Sequence, residues 1–146
     1  MRYRNENQID IFQPGEFYDG IPHNYYMGYA VTSAQFNKPK YNTTYYVASA
    51  PRHKSEVLNN MLGKIFIFDI VKRKASISIF EDKLSLYGSQ TGEYYGYSLL
   101  VEDFNNDGLP DLVVSAPLHS NDTYHESGAV YIYMNKGNVS YFSIVK

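Results

Sequence analysis

Residues 94–117 read Tyr94-Tyr95-Gly96-Tyr97-Ser98-Leu99-Leu100-Val101-Glu102-Asp103-Phe104-Asn105-Asn106-Asp107-Gly108-Leu109-Pro110-Asp111-Leu112-Val113-Val114-Ser115-Ala116-Pro117, and both ends of this stretch occur a second time in the chain. Tyr26-Met27-Gly28-Tyr29-Ala30-Val31 matches its beginning. Val47-Ala48-Ser49-Ala50-Pro51 matches its end. Further on, Gly63-Lys64-Ile65-Phe66-Ile67-Phe68 is repeated as Gly128-Ala129-Val130-Tyr131-Ile132-Tyr133. Three landmarks in one order, at nearly the same offset, mark an internal duplication. The small drift in offset places length changes in the loops between them.

Each unit reads as four short strands. In the first they are predicted near Tyr29–Thr32, Thr44–Ser49, Lys64–Ile70 and Ala75–Phe80. In the second they are predicted near Tyr97–Glu102, Asp111–Ser115, Ala129–Met134 and Tyr141–Val145. Ile65–Phe68 and Val130–Tyr133 are unbroken apolar runs, as expected of strands covered on both faces. Asn37-Lys38-Pro39, Asn59-Asn60 and Asn135-Lys136-Gly137-Asn138 supply turn chemistry between strands. The fold class is all-β. A four-stranded sheet cannot bury both faces alone, and radial stacking of such sheets gives a β-propeller, built of roughly four to eight blades. The chain holds about two, so it is expected to be part of a longer propeller or to close a ring from several copies. Residues 25–92 are expected to form a repeat without a metal site and residues 93–146 a repeat with one. Residues 1–24 are expected to hold the end of a preceding blade or a loop.

Composition excludes several classes. The chain is 44% hydrophobic and 19% charged, with a formal net charge of −2. That balance suits a globular protein and gives no basic field for nucleic acid or an anionic membrane. Lys72-Arg73-Lys74, between two apolar runs, is expected to be a solvated turn. Tyrosine takes 16 of 146 positions, in keeping with half-buried strands. Cysteine is absent, which removes disulfides, zinc–thiolate sites and thiol nucleophiles. No apolar run reaches the roughly 20 residues that span a bilayer, and the first residues lack the apolar segment of a signal peptide.

The strongest chemical motif is Asp103–Asp111. Oxygen-bearing side chains fall at its first, third and fifth positions, and Gly108 follows at the sixth. Alternate side chains in a tight loop can surround one cation, and calcium takes oxygen ligands of this kind. Gly108 permits the sharp turn. The expected ligands are Asp103, Asn105, Asp107, the Leu109 carbonyl and Asp111. An EF-hand would carry a glutamate at its twelfth position, between helices. Here that position is Val114 in an apolar strand, so the loop joins two strands. The competing reading is an Asn/Asp/Gly turn without metal. Gln35–Thr44, the corresponding stretch of the first unit, has no carboxylate and is expected to bind no calcium.

These landmarks resemble the FG-GAP repeats of integrin alpha subunits. The Phe-Gly element stands here as Met27-Gly28 and Tyr95-Gly96, and the Gly-Ala-Pro element as Ser49-Ala50-Pro51 and Ser115-Ala116-Pro117. The first unit looks closest to the alpha-four and alpha-nine type, in which a metal-free repeat precedes a metal-bearing one. That places the units near the fourth and fifth blades of a seven-bladed propeller. The resemblance implies the extracellular part of a single-pass cell-surface adhesion receptor. It also implies pairing with an integrin beta subunit, extracellular-matrix or cell-surface protein ligands, and structural Ca2+. Tyr26 and Tyr95 would then face the propeller axis and help receive the beta subunit. Two other settings suit such repeats: a non-catalytic propeller attached to a secreted hydrolase, and a lectin-like oligomer.

Three sequons, at Asn42, Asn121 and Asn138, are candidate glycan sites. Arg52, His53 and Lys54 are expected in an exposed loop, as are His119 and His125, which lack a third zinc ligand. Ser49 and Ser115 have no base or oxyanion signature beside them, and their duplication points to structure.

Overall fold

A computed structural model describes residues 25–55, 59–72 and 78–145. The expectations for residues 1–24, for Arg73-Lys74 and for the start of the fourth strand lie outside these. The described residues form two antiparallel four-stranded sheets, each in simple sequence order. The first contains β1 (Val31–Ala34), β2 (Tyr45–Ala50), β3 (Lys64–Lys72) and β4 (Ser78–Tyr87). The second contains β5 (Leu99–Glu102), β6 (Asp111–Ala116), β7 (Ala129–Asn138) and β8 (Tyr141–Val145). These are two blades of a β-propeller.

Strands β4 and β7 run well past the ends their sequence suggests. The fourth strand continues past Phe80 to Tyr87 because the charged run Glu81-Asp82-Lys83 is taken up at a β-bulge. Ile67 pairs with Leu84 and Phe68 with Asp82, so Lys83 is the extra residue. Beyond it, Leu84 and Leu86 pack on the core again. Strand β7 continues past Met134 through Asn135–Asn138, with an irregularity in its pairing to β8. The residues read as a turn are therefore strand.

The core lies between the sheets. Tyr45, Val47, Ile65 and Ile67 of the first meet Leu112, Val114, Ala116, Tyr131 and Tyr133 of the second, and all are buried. Burying such side chains contributes about 1.5–3 kcal/mol each. The stacking is head to tail. Ser49 and Ser115 are equivalent, so Val47 corresponds to Val113 and Ala48 to Val114. The first sheet turns its Val47 face to its neighbour, whereas the second uses its Val114 face. Leu100 and Val130, on the second sheet's other side, are left about half exposed. A contact of this kind can repeat, blade after blade, as a propeller requires.

The duplicated landmarks interlock in each blade. Gly28 N–H donates to the Ser49 carbonyl at 2.8 Å, and Gly96 N–H to that of Ser115 at 3.0 Å. Two residues after each glycine, the Ala30 and Ser98 amides donate to the Ser49 and Ser115 hydroxyls, both at 2.9 Å. The two serines thus fasten each blade's first turn to its second strand, as expected for structural rather than nucleophilic residues. Both glycines have left-handed backbone, with φ of 84° and 95°. They differ in surroundings. Among the described residues a Cβ on Gly28 meets nothing within 4 Å, whereas one on Gly96 meets Ser49 Cβ at 2.8 Å across the blade interface.

His53 corrects an expectation. Rather than lying in an exposed loop, it is buried, with ring centroids of Tyr25, Phe66 and Tyr87 at 4.9, 5.9 and 6.1 Å. Its Nδ1 has no hydrogen-bond partner among the described residues. Burial, and then the charge of Lys64, lower its pKa from 6.5 to about 4.

Two predictions follow from this packing. Gly28→Ala should destabilise the chain by about 1–2 kcal/mol through left-handed strain alone. Gly96→Ala should add about 1–3 kcal/mol of overpacking. Chemical denaturation measures both, and equal losses would contradict the interface clash. For His53 the unfolded chain takes up the proton first as pH falls below 6.5. The folded state therefore loses stability down to about pH 4 and regains it as pH rises. That contribution is on the order of 1–3 kcal/mol. His53→Phe should flatten stability against pH in this window, and an unchanged slope would assign the titration to another group.

Candidate functional site

The loop between β5 and β6 is closed by its own side chains. The Asp107 amide donates to Asp103 Oδ1 at 3.1 Å and to Asn105 Oδ1 at 3.0 Å, so these two oxygens converge. Gly108 N–H reaches Asp103 Oδ2 at 2.8 Å, and Leu109 N–H reaches Asp107 Oδ1 at 2.9 Å. The Asn105 side-chain amide donates to Asp107 Oδ2 at 2.8 Å. Asn106 and Gly108 have positive φ, of 56° and 83°, which lets successive amides point inward. Asp111 lies at the base of the loop, fully buried. Its Oδ2 accepts from Phe104 N–H at 3.0 Å and its Oδ1 from Asn135 N–H at 2.8 Å.

The donor set suits a hard cation: three carboxylates and a side-chain amide oxygen, with no sulfur or imidazole. The carboxylate oxygens keep lone pairs beyond the amides they accept. In this conformation the carboxylates turn to backbone amides, and among the described residues no three acidic or histidine side chains converge as a metal cluster. The corresponding loop of the first repeat carries no acid. It contains a short 3-10 turn, Pro39–Tyr41, and Lys40 Nζ stands 4.7 Å from the centre of the Tyr41 ring.

The turn preceding each blade presents tyrosines. Tyr26 and Tyr94 both have left-handed backbone, with φ of 56° and 61°. Their carbonyls accept from Tyr29 and Tyr97 N–H, each at 3.1 Å. Strain of this sort in non-glycine residues clusters at functional positions. Tyr29 lies between Tyr94 and Tyr97, with ring centroids 6.2 and 5.5 Å away, so the aromatic set bridges the two blades. Arg52 lies over the Tyr26 ring at 5.1 Å, and its Nη1 donates to the Tyr26 hydroxyl at 3.2 Å. Tyr26, Tyr29 and Tyr97 are about half exposed.

Tyr95 must be corrected. It is 0% exposed and packs edge-on against Tyr131 at 5.1 Å, and its hydroxyl hydrogen-bonds that of Tyr133 at 2.6 Å. Burial pushes its pKa well above 10. It is a core residue with no surface to offer a partner. The exposed counterpart of Tyr29 is Tyr97, two positions along, as the repeat offset itself indicates.

His119 also departs from expectation. Its Nδ1 meets Glu93 Oε2 at 2.5 Å, and Glu93 is buried. Glu93 further accepts from Ser89 N–H at 2.6 Å and from the Tyr131 hydroxyl at 2.8 Å. Burial raises the Tyr131 pKa to about 12. This network, together with the paired bonds between Gln90 and Ser120, ties the loop after β6 to the connection between blades. His125 is exposed, as expected. Isolated Glu, His and Gln residues in loops gave no sequence signal for the network. The three sequon asparagines are exposed. Asn121 Oδ1 accepts from Thr123 and Tyr124 N–H, Asn138 Oδ1 from Ser140 N–H, and Asn42 Oδ1 from the Gln35 side chain.

Comparison with known proteins agrees with this geometry. The FG-GAP repeat family matches residues 95–133. Integrin alpha-PS5 of Drosophila melanogaster is 43% identical over 112 residues, covering 77% of this chain and 10% of that protein. Integrin alpha-PS3 of the same organism is 42% identical over 112 residues, covering 77% and 9%. Integrin alpha-4 of Xenopus laevis is 34% identical over 113 residues, covering 77% and 10%. The chain thus spans about a tenth of the length of these relatives. With two blades, duplicated landmarks and these homologues, the chain is an FG-GAP repeat region of the integrin alpha type.

Proposed function

We propose that this chain forms part of the extracellular propeller of a cell-adhesion receptor, and that it acts by presenting rigid surfaces to protein partners rather than by catalysis. The observation that carries this reading is the tyrosine set shared by the two blades: Tyr26, Tyr29, Tyr94 and Tyr97. Tyr26, Tyr29 and Tyr97 are half exposed, and such rings with an Arg stacked beside them have the composition of a protein-contact surface. The partner proposed for it is an integrin beta subunit, with extracellular-matrix or cell-surface proteins as ligands of the assembled pair. Among the described residues no helix is long and apolar enough to cross a membrane. Attachment to the cell surface is proposed through other segments of a type I membrane protein. Asn42, Asn121 and Asn138 are proposed glycan acceptors, supported by their exposure.

Calcium is proposed as a structural ion of the β5–β6 loop, held by Asp103, Asn105, Asp107, the Leu109 carbonyl and Asp111. Its bound form supplies positive charge among clustered acidic oxygens and so rigidifies the hairpin. Support comes from the all-oxygen donor set, from the convergence of Asp103 and Asn105, and from the family.

Calcium at ten times its dissociation constant should stabilise the folded chain by about 1.4 kcal/mol, and Asp107→Ala should abolish most of that gain. Calorimetry with and without Ca2+ measures it, and equal shifts in both proteins would reject the site. For the aromatic surface, Tyr97→Ser should leave melting nearly unchanged but reduce recovery of the full chain with a co-expressed integrin beta subunit. Undiminished recovery would count against this surface.

A further inference from the structure

The side chain of Asn135 is 0% exposed and joins three segments. Its amide donates to the Phe36 carbonyl at 2.8 Å and to the Pro110 carbonyl at 3.0 Å, and its Oδ1 accepts from Gly137 N–H at 2.8 Å. Its backbone N–H donates to Asp111 Oδ1. One residue on β7 therefore grips the base of the acidic loop and, across the blade boundary, the acid-free loop of the first repeat. We propose that Asn135 is a positioning residue that couples the two loops, so that calcium at Asp103–Asp111 orders Gln35–Thr44 as well. The coupling rests on the calcium reading above.

The first-repeat loop depends on its neighbour for order. Phe36 is fully buried and packs edge-on against Phe142 of the second sheet at 5.4 Å. Val139 N–H donates to Asn37 Oδ1 at 2.9 Å, and Lys38 N–H to the Gly137 carbonyl at 3.3 Å. The Lys38 side chain lies along Gly137, where an added Cβ would meet its Cε at 2.9 Å. Within the loop itself few bonds stand in for a metal. Among the described residues they include Tyr41 N–H to Lys38, Thr43 Oγ1 to Tyr41, Gln35 to Asn42 and, on to β2, Asn37 Nδ2 to the Tyr45 hydroxyl at 2.6 Å.

A buried amide with both N–H groups donated and its oxygen bonded admits few alternative arrangements. If Pro110–Asp111 shifts when the cation leaves, Asn135 loses acceptors on both its side chain and its backbone. Leaving a buried polar group unsatisfied is strongly unfavourable. Relaxing it moves the amide that also holds Phe36. The coupling is reciprocal, so cutting it should weaken calcium binding too.

Hydrogen exchange of the full chain with and without Ca2+ tests this by comparing residues 35–44 with residues 103–111. In the native chain calcium should slow exchange in both segments, by about tenfold. At saturating Ca2+, Asn135→Leu, which has the same number of side-chain heavy atoms but cannot bond, should keep the effect at 103–111 and lose it at 35–44. A side chain important only for packing would change exchange equally with and without Ca2+. Retention of both effects in Asn135→Leu would overturn the coupling. So would a native chain in which calcium protects 103–111 alone, and that result would leave the calcium reading standing. Calcium protecting neither segment would remove the calcium reading and the coupling with it. Should Asn135→Leu fail to fold, Asn135→Ala removes the same three side-chain bonds without adding bulk. It should diminish the calcium response of 35–44, and an undiminished response would overturn the proposal.

Discussion

Each blade depends on one serine that acts twice. The Ser49 and Ser115 carbonyls receive the glycine amides of the preceding turn, and their hydroxyls receive the amides two residues later. A carbonyl near the end of a strand would otherwise face solvent or lie buried without a partner, and buried backbone groups must be paired. Using it to hold the turn fixes where the first strand begins and how its chain enters the sheet. The glycine is needed because the turn arrives with left-handed backbone. The tyrosine two residues earlier adopts that conformation as well, at greater steric cost, and is held by the bond from Tyr29 or Tyr97. The exposed rings follow from this clasp: the turn that anchors the strand also leaves Tyr26, Tyr29 and Tyr97 half exposed.

Two buried polar centres then join blade to blade. Glu93 gathers a backbone amide from the inter-blade connection, a hydroxyl from β7 and an imidazole from the loop after β6. Asn135 does the same at the opposite turns of the sheet. Apolar packing between sheets is strong but tolerant of small shifts, whereas hydrogen bonds have direction. The apolar core supplies most of the attraction and the two polar centres set the register, so loops on both rims keep fixed positions.

The sequence showed what repeats and concealed what joins the repeats. Glycine, Ser-Ala-Pro and the apolar third strands occur twice, and their duplication located two sheets and most strand positions. The acidic loop was legible because its groups lie within nine neighbouring positions, Asp103–Asp111, and interact with one another. Asn135 looks like part of a turn in sequence, since its partner Phe36 stands 99 residues away. Glu93 and His119 sat in loops with nothing beside them to mark burial. Tyr95 and Tyr97 are the same residue type two positions apart, and only the backbone decides which faces solvent. Here Tyr95 points into the interface and Tyr97 out. The end of the fourth strand was hidden by Glu81-Asp82-Lys83, which a bulge accommodates without ending the pairing.

The location of the core has a further consequence. Its buried residues come from both sheets and meet between them, so stability resides in the contact between repeats more than within either one. That contact uses opposite faces of equivalent blades, and the second blade keeps an apolar face half exposed, with Leu100 and Val130 on it. A face-to-face pairing of identical surfaces would end after two units. A head-to-tail pairing always leaves the next surface available, and the same interface can recur until a ring closes on itself. In such an array each loop on the rim borders the following blade. A repeat that carries no acid of its own, as the first does at Gln35–Thr44, can therefore be held in place by the blade that comes after it.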